Sequence, residues 1–200
     1  MFNTTQGKLT EGIIMGLFNR KERLSESQLS EVLVSTIFND INAGYPEIVK
    51  TLKELPFAGK LVHSLHRNSK QFWITALFSM ELLSIPKMFD EDQANRIMKF
   101  CIDELSKKLG VDQSDICSSI DEYTAAFRKG VEFVTENPSI SLNPLEFVSE
   151  ILYDRMQIEK IEVANRIVPS SVLLSAISAI ITRLGGYMKD IKARCKIVKD

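Results

Sequence analysis

The segment LVHSLHRNSKQFW, residues 61–73, contains both histidines of the chain and its single tryptophan. His63 and His66 stand three positions apart, so on a helix they share a face, as two imidazoles bound to one metal ion would. A zinc centre takes three or four ligands, and the HExxH, ExxH and paired Cys/His spacings that could complete one are missing. The surroundings oppose it further: no carboxylate lies between Glu54 and Glu81, while Lys60, Arg67 and Lys70 flank the histidines. At ~4 Å and an effective dielectric of ~20, each of those cations repels a monovalent ion by about 4 kcal/mol, and a divalent one by more. The segment is therefore assigned no metal, and the chain no cofactor.

The same charges suit an anion. If a helix begins near Asn68-Ser69, its free N–H groups lie beside His63, His66, Arg67 and Lys70, and a phosphate or carboxylate has a place to dock. If residues 58–85 are instead one helix, His63, Arg67 and Lys70 form a solvated basic ridge opposite the apolar stripe. Phe72 and Trp73 are read as anchors of the core or of an interface. Catalytic patterns are missing: there is no GxSxG elbow, P-loop or GxGxxG. The carboxylates Asp90, Glu91, Asp92, Asp121 and Glu122 sit where helix starts and solvated faces want them. DEDQAN lacks the glycine of a calcium loop, so no catalytic residue is assigned.

The elements that would position these residues are helical. From Ser25 onward, apolar residues recur at helix spacing between helix start and stop signals, and alternating strand patterns are absent, which predicts an all-α chain. Ser25 and Gln28 resemble a capping box before the stripe Leu29, Val32, Leu33, Ile37 and Ile41, which should end at Gly44. Pro46 is expected to open a short helix that Pro56 closes. Another stripe runs from Ala58 to Leu83, with Pro86 as its end. Asp90 should cap the cleanest amphipathic helix, through Ile97, Cys101 and Leu105, stopped by Gly110. Asp112 should cap a helix ending at Asn137-Pro138, and Asn143-Pro144 should start a long one running toward Ile167. The helix at about 170–184 is apolar on much of its circumference, with serines and Ala179 as a small-residue side, and is expected at the centre. The outcome is a compact bundle of about seven or eight helices.

Composition bounds the rest. Two hundred residues with 44% apolar content suit one domain over 25–200, or two packed helical units divided near 86–90. The formal net charge of −1 supplies no field for nucleic acid. Locally, residues 90–122 carry nine acidic and four basic side chains, and residues 183–200 six basic and two acidic. Three widely spaced cysteines without CxxC suit a reducing cytoplasm and are read as small buried hydrophobes. The apolar run at 168–188 is interrupted by Arg183 and Gly185-Gly186, so no membrane span is expected. Residues 1–24 lack apolar periodicity in their first part and are expected to be a disordered leader. Within them, Glu11-Gly12 implies a purine-rich stretch two isoleucine codons ahead of Met15, the layout of a bacterial ribosome-binding site. Met15 is thus a candidate native start.

The expected function is that of a non-enzymatic helical protein of a bacterial cytoplasm, acting through protein–protein contact or self-association. The alternative is a helical-bundle binder, or enzyme, that encloses an apolar small molecule whose acidic group is held by the basic His63–Lys70 segment. The start-site hypothesis is tested by N-terminal sequencing of protein made from the native gene: Met15 or Gly16 is expected first, and Met1 refutes it.

Overall fold

A computed structural model describes residues 23–54, 67–157, 162–163 and 166–200. Its elements in chain order are β1 (Arg23–Ser25), α1 (Glu26–Glu54), α2 (Ser69–Leu82), the single-turn α3 (Ile85–Met88), α4 (Glu91–Leu109), α5 (Gln113–Glu136), α6 (Leu145–Arg155), β2 (Glu162–Val163), β3 (Arg166–Ile167), α7 (Val168–Arg194) and β4 (Lys196–Val198). The chain is mostly helical, as its periodicity predicts. The leader expected over residues 1–24 lies outside the described residues up to position 22. Its last two residues, Arg23 and Leu24, pair in a strand with Lys196 and Ile197.

The capping box forms at the start of α1. The Ser25 N–H donates to Gln28 Oε1 at 2.9 Å, and the Gln28 N–H donates to Ser25 Oγ at 3.2 Å. The stripe Leu29, Leu33, Ile37 and Ile41 is buried behind it. The stop expected at Gly44 does not occur, and α1 runs through Pro46 to Glu54. A proline inside a helix removes one hydrogen bond and crowds the carbonyl four residues back. Here tertiary contacts on both sides of the proline oppose that loss: Leu52 is buried after it, and before it the Tyr45 hydroxyl shares a short hydrogen bond with Ser69 Oγ on α2.

Where one helix over 58–85 was the alternative to two, the chain turns at Arg67-Asn68 and α2 begins at Ser69. It is α2, not the 170–184 helix, that occupies the centre: every residue from Trp73 to Leu82 is buried. Its hydroxyls are satisfied within the helix, Thr75 Oγ1 donating to Gln71 O at 2.9 Å and Ser79 Oγ to Thr75 O at 2.7 Å. α7 is amphipathic instead. Ile177, Ile180, Leu184, Met188 and Ile191 are buried at helix spacing, while Ser175, Ala179, Thr182 and Arg183 face water. Of the small-residue side read as a packing face, Ser175, Ala179 and Thr182 are exposed and Ser178 is half-buried. Gly185-Gly186 does not stop α7, which continues to Arg194.

α4 forms as expected. Asp90 Oδ1 accepts from the Gln93 N–H at 2.9 Å, Ala94, Ile97, Cys101 and Leu105 are buried, and Gly110 ends the helix at φ 63°. Asp112 stands at the start of α5 with no side-chain cap bond. The start of α6 is closed reciprocally: Asn143 Oδ1 accepts from the Leu145 N–H at 3.0 Å, and Glu146 Oε1 accepts from the Asn143 N–H at 3.3 Å. α6 stops at Arg155, well short of Ile167, and Gln157 follows with φ 58°. Beyond it, Glu162–Val163 pairs antiparallel with Arg166–Ile167, and β1 pairs parallel with β4. These strands of two or three residues are too short for periodicity to announce. Among the described residues there are thus six helices longer than one turn, fewer than the expected seven or eight, chiefly because α1 is continuous.

A single apolar cluster takes residues from both sides of positions 86–90, from Leu29 on α1 to Ile191 on α7. Gly130 lets α5 approach the Asn143-Pro144 turn: a Cβ there would lie 2.6 Å from Pro144 O and 2.9 Å from both Pro144 Cα and Phe147 Cδ2. Backbone cannot move aside as a flexible side-chain tip would. Gly130→Ala should therefore destabilise the fold by about 1–3 kcal/mol despite alanine's better helix propensity. Urea unfolding checks this, and an unchanged or higher midpoint would show that the turn yields freely.

Candidate functional site

His63 and His66 lie outside the described residues, so their part in the basic segment has no geometry here. Arg67 is exposed in the turn before α2, and Lys70 is half-buried in its first turn. A helix does begin where the anion reading needs one. Around that N-terminus, however, Ser69 is buried and its hydroxyl is engaged by Tyr45. Gln71 Nε2, in the same turn, donates to Leu109 O at 3.4 Å. Of the four residues grouped by sequence as ligand-binding, Arg67 and Lys70 are the two whose placement is described.

Phe72 and Trp73 separate into two environments. Trp73 is wholly buried, and its indole Nε1 has no hydrogen-bond acceptor among the described residues. Phe72 is half-buried under Arg155, whose guanidinium carbon stands 5.7 Å from the Phe72 ring centroid and 5.1 Å from that of Tyr123. Arg155 also donates to Ser119 Oγ at 3.1 Å and pairs closely with Glu122. Burial pushes the Tyr123 hydroxyl up to about 12, against the opposing pull of Arg155. This clamp joins α2, α5 and α6, and the cation that the aromatic faces accept comes from the chain itself.

A seam of polar groups lies between α1, α2 and α4. The Glu26 side chain is inaccessible to water and accepts from Arg96 Nε at 2.7 Å, Arg96 Nη2 at 2.8 Å and Gln93 Nε2 at 3.2 Å. The Arg96 guanidinium holds its carboxyl below the usual range, outweighing burial. Ser30 Oγ reaches Glu26 O at 2.8 Å and Ile97 O at 3.1 Å. Cys101, behind it, has its thiol pushed up to about 12 by burial, with Ser30 opposing. Such a thiol is not a nucleophile near neutral pH. Glu81 is also buried, but among the described residues its carboxylate receives only the Ser84 hydroxyl, at 3.3 Å, and burial raises its pKa. On α7, Arg183 Nη2 stands 2.8 Å from Oδ2 of nearly buried Asp40, whose pKa burial raises against that pull.

Among the described residues no group of three or more His, Cys, Asp and Glu side chains could hold a metal. No described helix is long and apolar enough to cross a membrane. Among the described residues the large apolar side chains left exposed are Val131 (42%), Phe133 (37%) and Ile140 (44%), all on the last two turns of α5 or the turn that follows. The Phe133 ring leans against that of Phe147, with centroids 5.9 Å apart. Sequence reasoning missed this end of the molecule, because helix spacing alone does not say where α5 leaves the bundle. It passed over Glu81 too, although a lone carboxylate in the apolar run ITALFSMELLSI was a visible signal. Comparison with protein-family models, with curated proteins and with solved structures finds no match.

Glu81 makes stability depend on pH in a definite direction. Its folded-state pKa lies above the unfolded value of 4.5, so the folded chain holds the proton more tightly. Stability is fully present below the unfolded pKa and is lost as pH rises through the folded one. Glu81→Gln should thus raise the unfolding midpoint at pH 7, with the gain vanishing near pH 3. Thermal melts of both proteins across that range check the sign, and a variant destabilised at pH 7 would mean that the ionised carboxylate is well accommodated.

Proposed function

We propose that this chain is a non-enzymatic protein-contact module that engages a protein partner, or a second copy of itself, through the end of α5 and the 137–144 turn. The observation that carries the reading is that the large apolar side chains exposed among the described residues, Val131, Phe133 and Ile140, all fall within ten positions of the chain, at the end of α5 and in the turn after it. A large apolar side chain exposed singly is ordinary on any protein, whereas the gathering of all such described residues into one stretch is the pattern of a contact surface. Arg128, Lys129, Glu132 and Glu136 are exposed around them. Apolar contacts with a rim of both charge signs are the anatomy of a modest interface. A bacterial cytoplasm is the setting we propose, in keeping with three unpaired cysteines.

The test compares the native chain with Phe133→Ser/Ile140→Ser and with Ile140→Asp alone, by sedimentation over a concentration series and by capture of partners from bacterial lysate. The native chain should self-associate or retain a specific protein. The variants should keep their circular-dichroism spectra and lose about 30-fold in affinity, the effect of removing a typical hot spot. A native chain that stays monomeric and captures the same proteins as both variants would overturn the reading.

A further inference from the structure

The C-terminal part of α7 differs from the part before it. Up to Leu184 the helix lies along the bundle with Ile177, Ile180 and Leu184 buried. Gly185 and Gly186 follow, and a Cβ at either would meet nothing within 4 Å among the described residues. Close packing therefore does not explain them, and glycine is among the poorest residues for a helix interior. Beyond the pair, Met188 and Ile191 are buried, whereas Lys189, Asp190, Lys192, Ala193 and Arg194 are exposed.

The far end is fastened by polar contacts. β4 pairs with β1 in parallel, Lys196 to Arg23, Ile197 to Leu24 and Val198 to Ser25. Such a two-stranded ribbon is marginal alone. The Asp200 carboxylate then completes the fastening at the start of α1: Oδ2 accepts from the Ser27 N–H at 2.9 Å, and Oδ1 takes a short bond from the Ser27 hydroxyl, which also meets Ser25 Oγ at 2.9 Å. An anion at a helix N-terminus is favourably placed. Lys192 donates to Met88 O and stands 5.7 Å from the Phe89 ring centroid.

We propose that residues 187–200 are a strap, hinged at Gly185-Gly186 and clasped by Asp200 on the start of α1, which opens as one unit while the rest of α7 stays docked. Opening uncovers Leu24, Met188, Ile191 and the edge of β1, and releases Lys192 from Met88 O and the Phe89 ring. The strap is independent of the α5 end and stands or falls separately from the contact reading.

Hydrogen exchange of the full chain, read by mass spectrometry, tests this. Amides over 187–198 should exchange at one common rate, well above that of 174–184, with the break at 185–186. Asp200→Asn should raise the rate over 187–198 by about tenfold, the factor that loss of a charge-assisted hydrogen bond gives an opening equilibrium, and leave 174–184 unmoved. Gly185→Ala/Gly186→Ala, for which there is room, should slow it by about tenfold. A smooth gradient toward the C-terminus would show ordinary fraying, and a common response of 174–184 and 187–198 would show a single rigid helix. Either result overturns the strap.

Discussion

Ten consecutive residues of α2, from Trp73 to Leu82, have no water to face, and the placement of the other helices follows from that constraint. A helix buried on every side needs neighbours all round, and α1, α5, α6 and α7 pack against it. Its polar atoms must then find partners inside the protein. Thr75 and Ser79 solve this by bonding to their own helix, and Glu81 only in part, through Ser84. The Trp73 indole does not solve it at all. An unpaired buried donor costs about 1–3 kcal/mol, the same order as the ~1.5–3 kcal/mol gained by burying a large apolar side chain. Trp73 is therefore held by shape and packing rather than by polarity.

The start of α1 is where distant parts of the chain meet. Glu26 contacts Arg96, Ser30 bonds to Ile97 O, Ser27 receives Asp200, and β1 lies against β4. Glu26 tolerates complete burial because its oxygens are met by two guanidinium N–H groups and an amide, and because a carboxylate in a first turn faces the positive end of the helix. Arg96 keeps part of its surface in water, at 36% accessibility, so only one ion of the pair carries a full desolvation cost. Electrostatics is used here to fix which ends meet, while the apolar cluster supplies the bulk of the cohesion.

Legibility in the sequence follows the range of the interactions concerned. α4 could be read complete, since Asp90, the stripe through Ile97, Cys101 and Leu105, and Gly110 all act within a few residues of one another. The capping box of Ser25 and Gln28 was legible for the same reason. Pro46 misled because its local cost is overridden by Leu52 and Tyr45, whose partners lie elsewhere in the chain. α2 and α7 were exchanged as candidates for the centre because both mix large apolar residues with serine, threonine and alanine, small residues compatible with a neighbour or with water. The pairing of residues 23–25 with 196–198 has no local signature. At the candidate site, Trp73 could be named an anchor from its type, but the exposure of Phe133 depends on the register of α5 against α6, which no spacing within α5 records.

That register turns on Gly130. The buried side of α5 runs through Ile116, Ile120, Tyr123 and Ala126 to Gly130, where the backbone of Pro144 closes against it. The helix continues to Glu136 with no further residue buried, although Val131, Phe133 and Val134 are apolar. Phe133 finds only the edge of Phe147, and Ile140 sits exposed in the turn beyond. Polar residues at these positions would cost the monomer little, since apolar surface left in water contributes nothing to its folding. The physical gain that would favour apolar side chains there lies in removing them from water, and among the described residues Val131, Phe133 and Ile140 stay exposed. The contact proposed for the end of α5 would supply that burial, since association removes from water the apolar surface that folding leaves exposed.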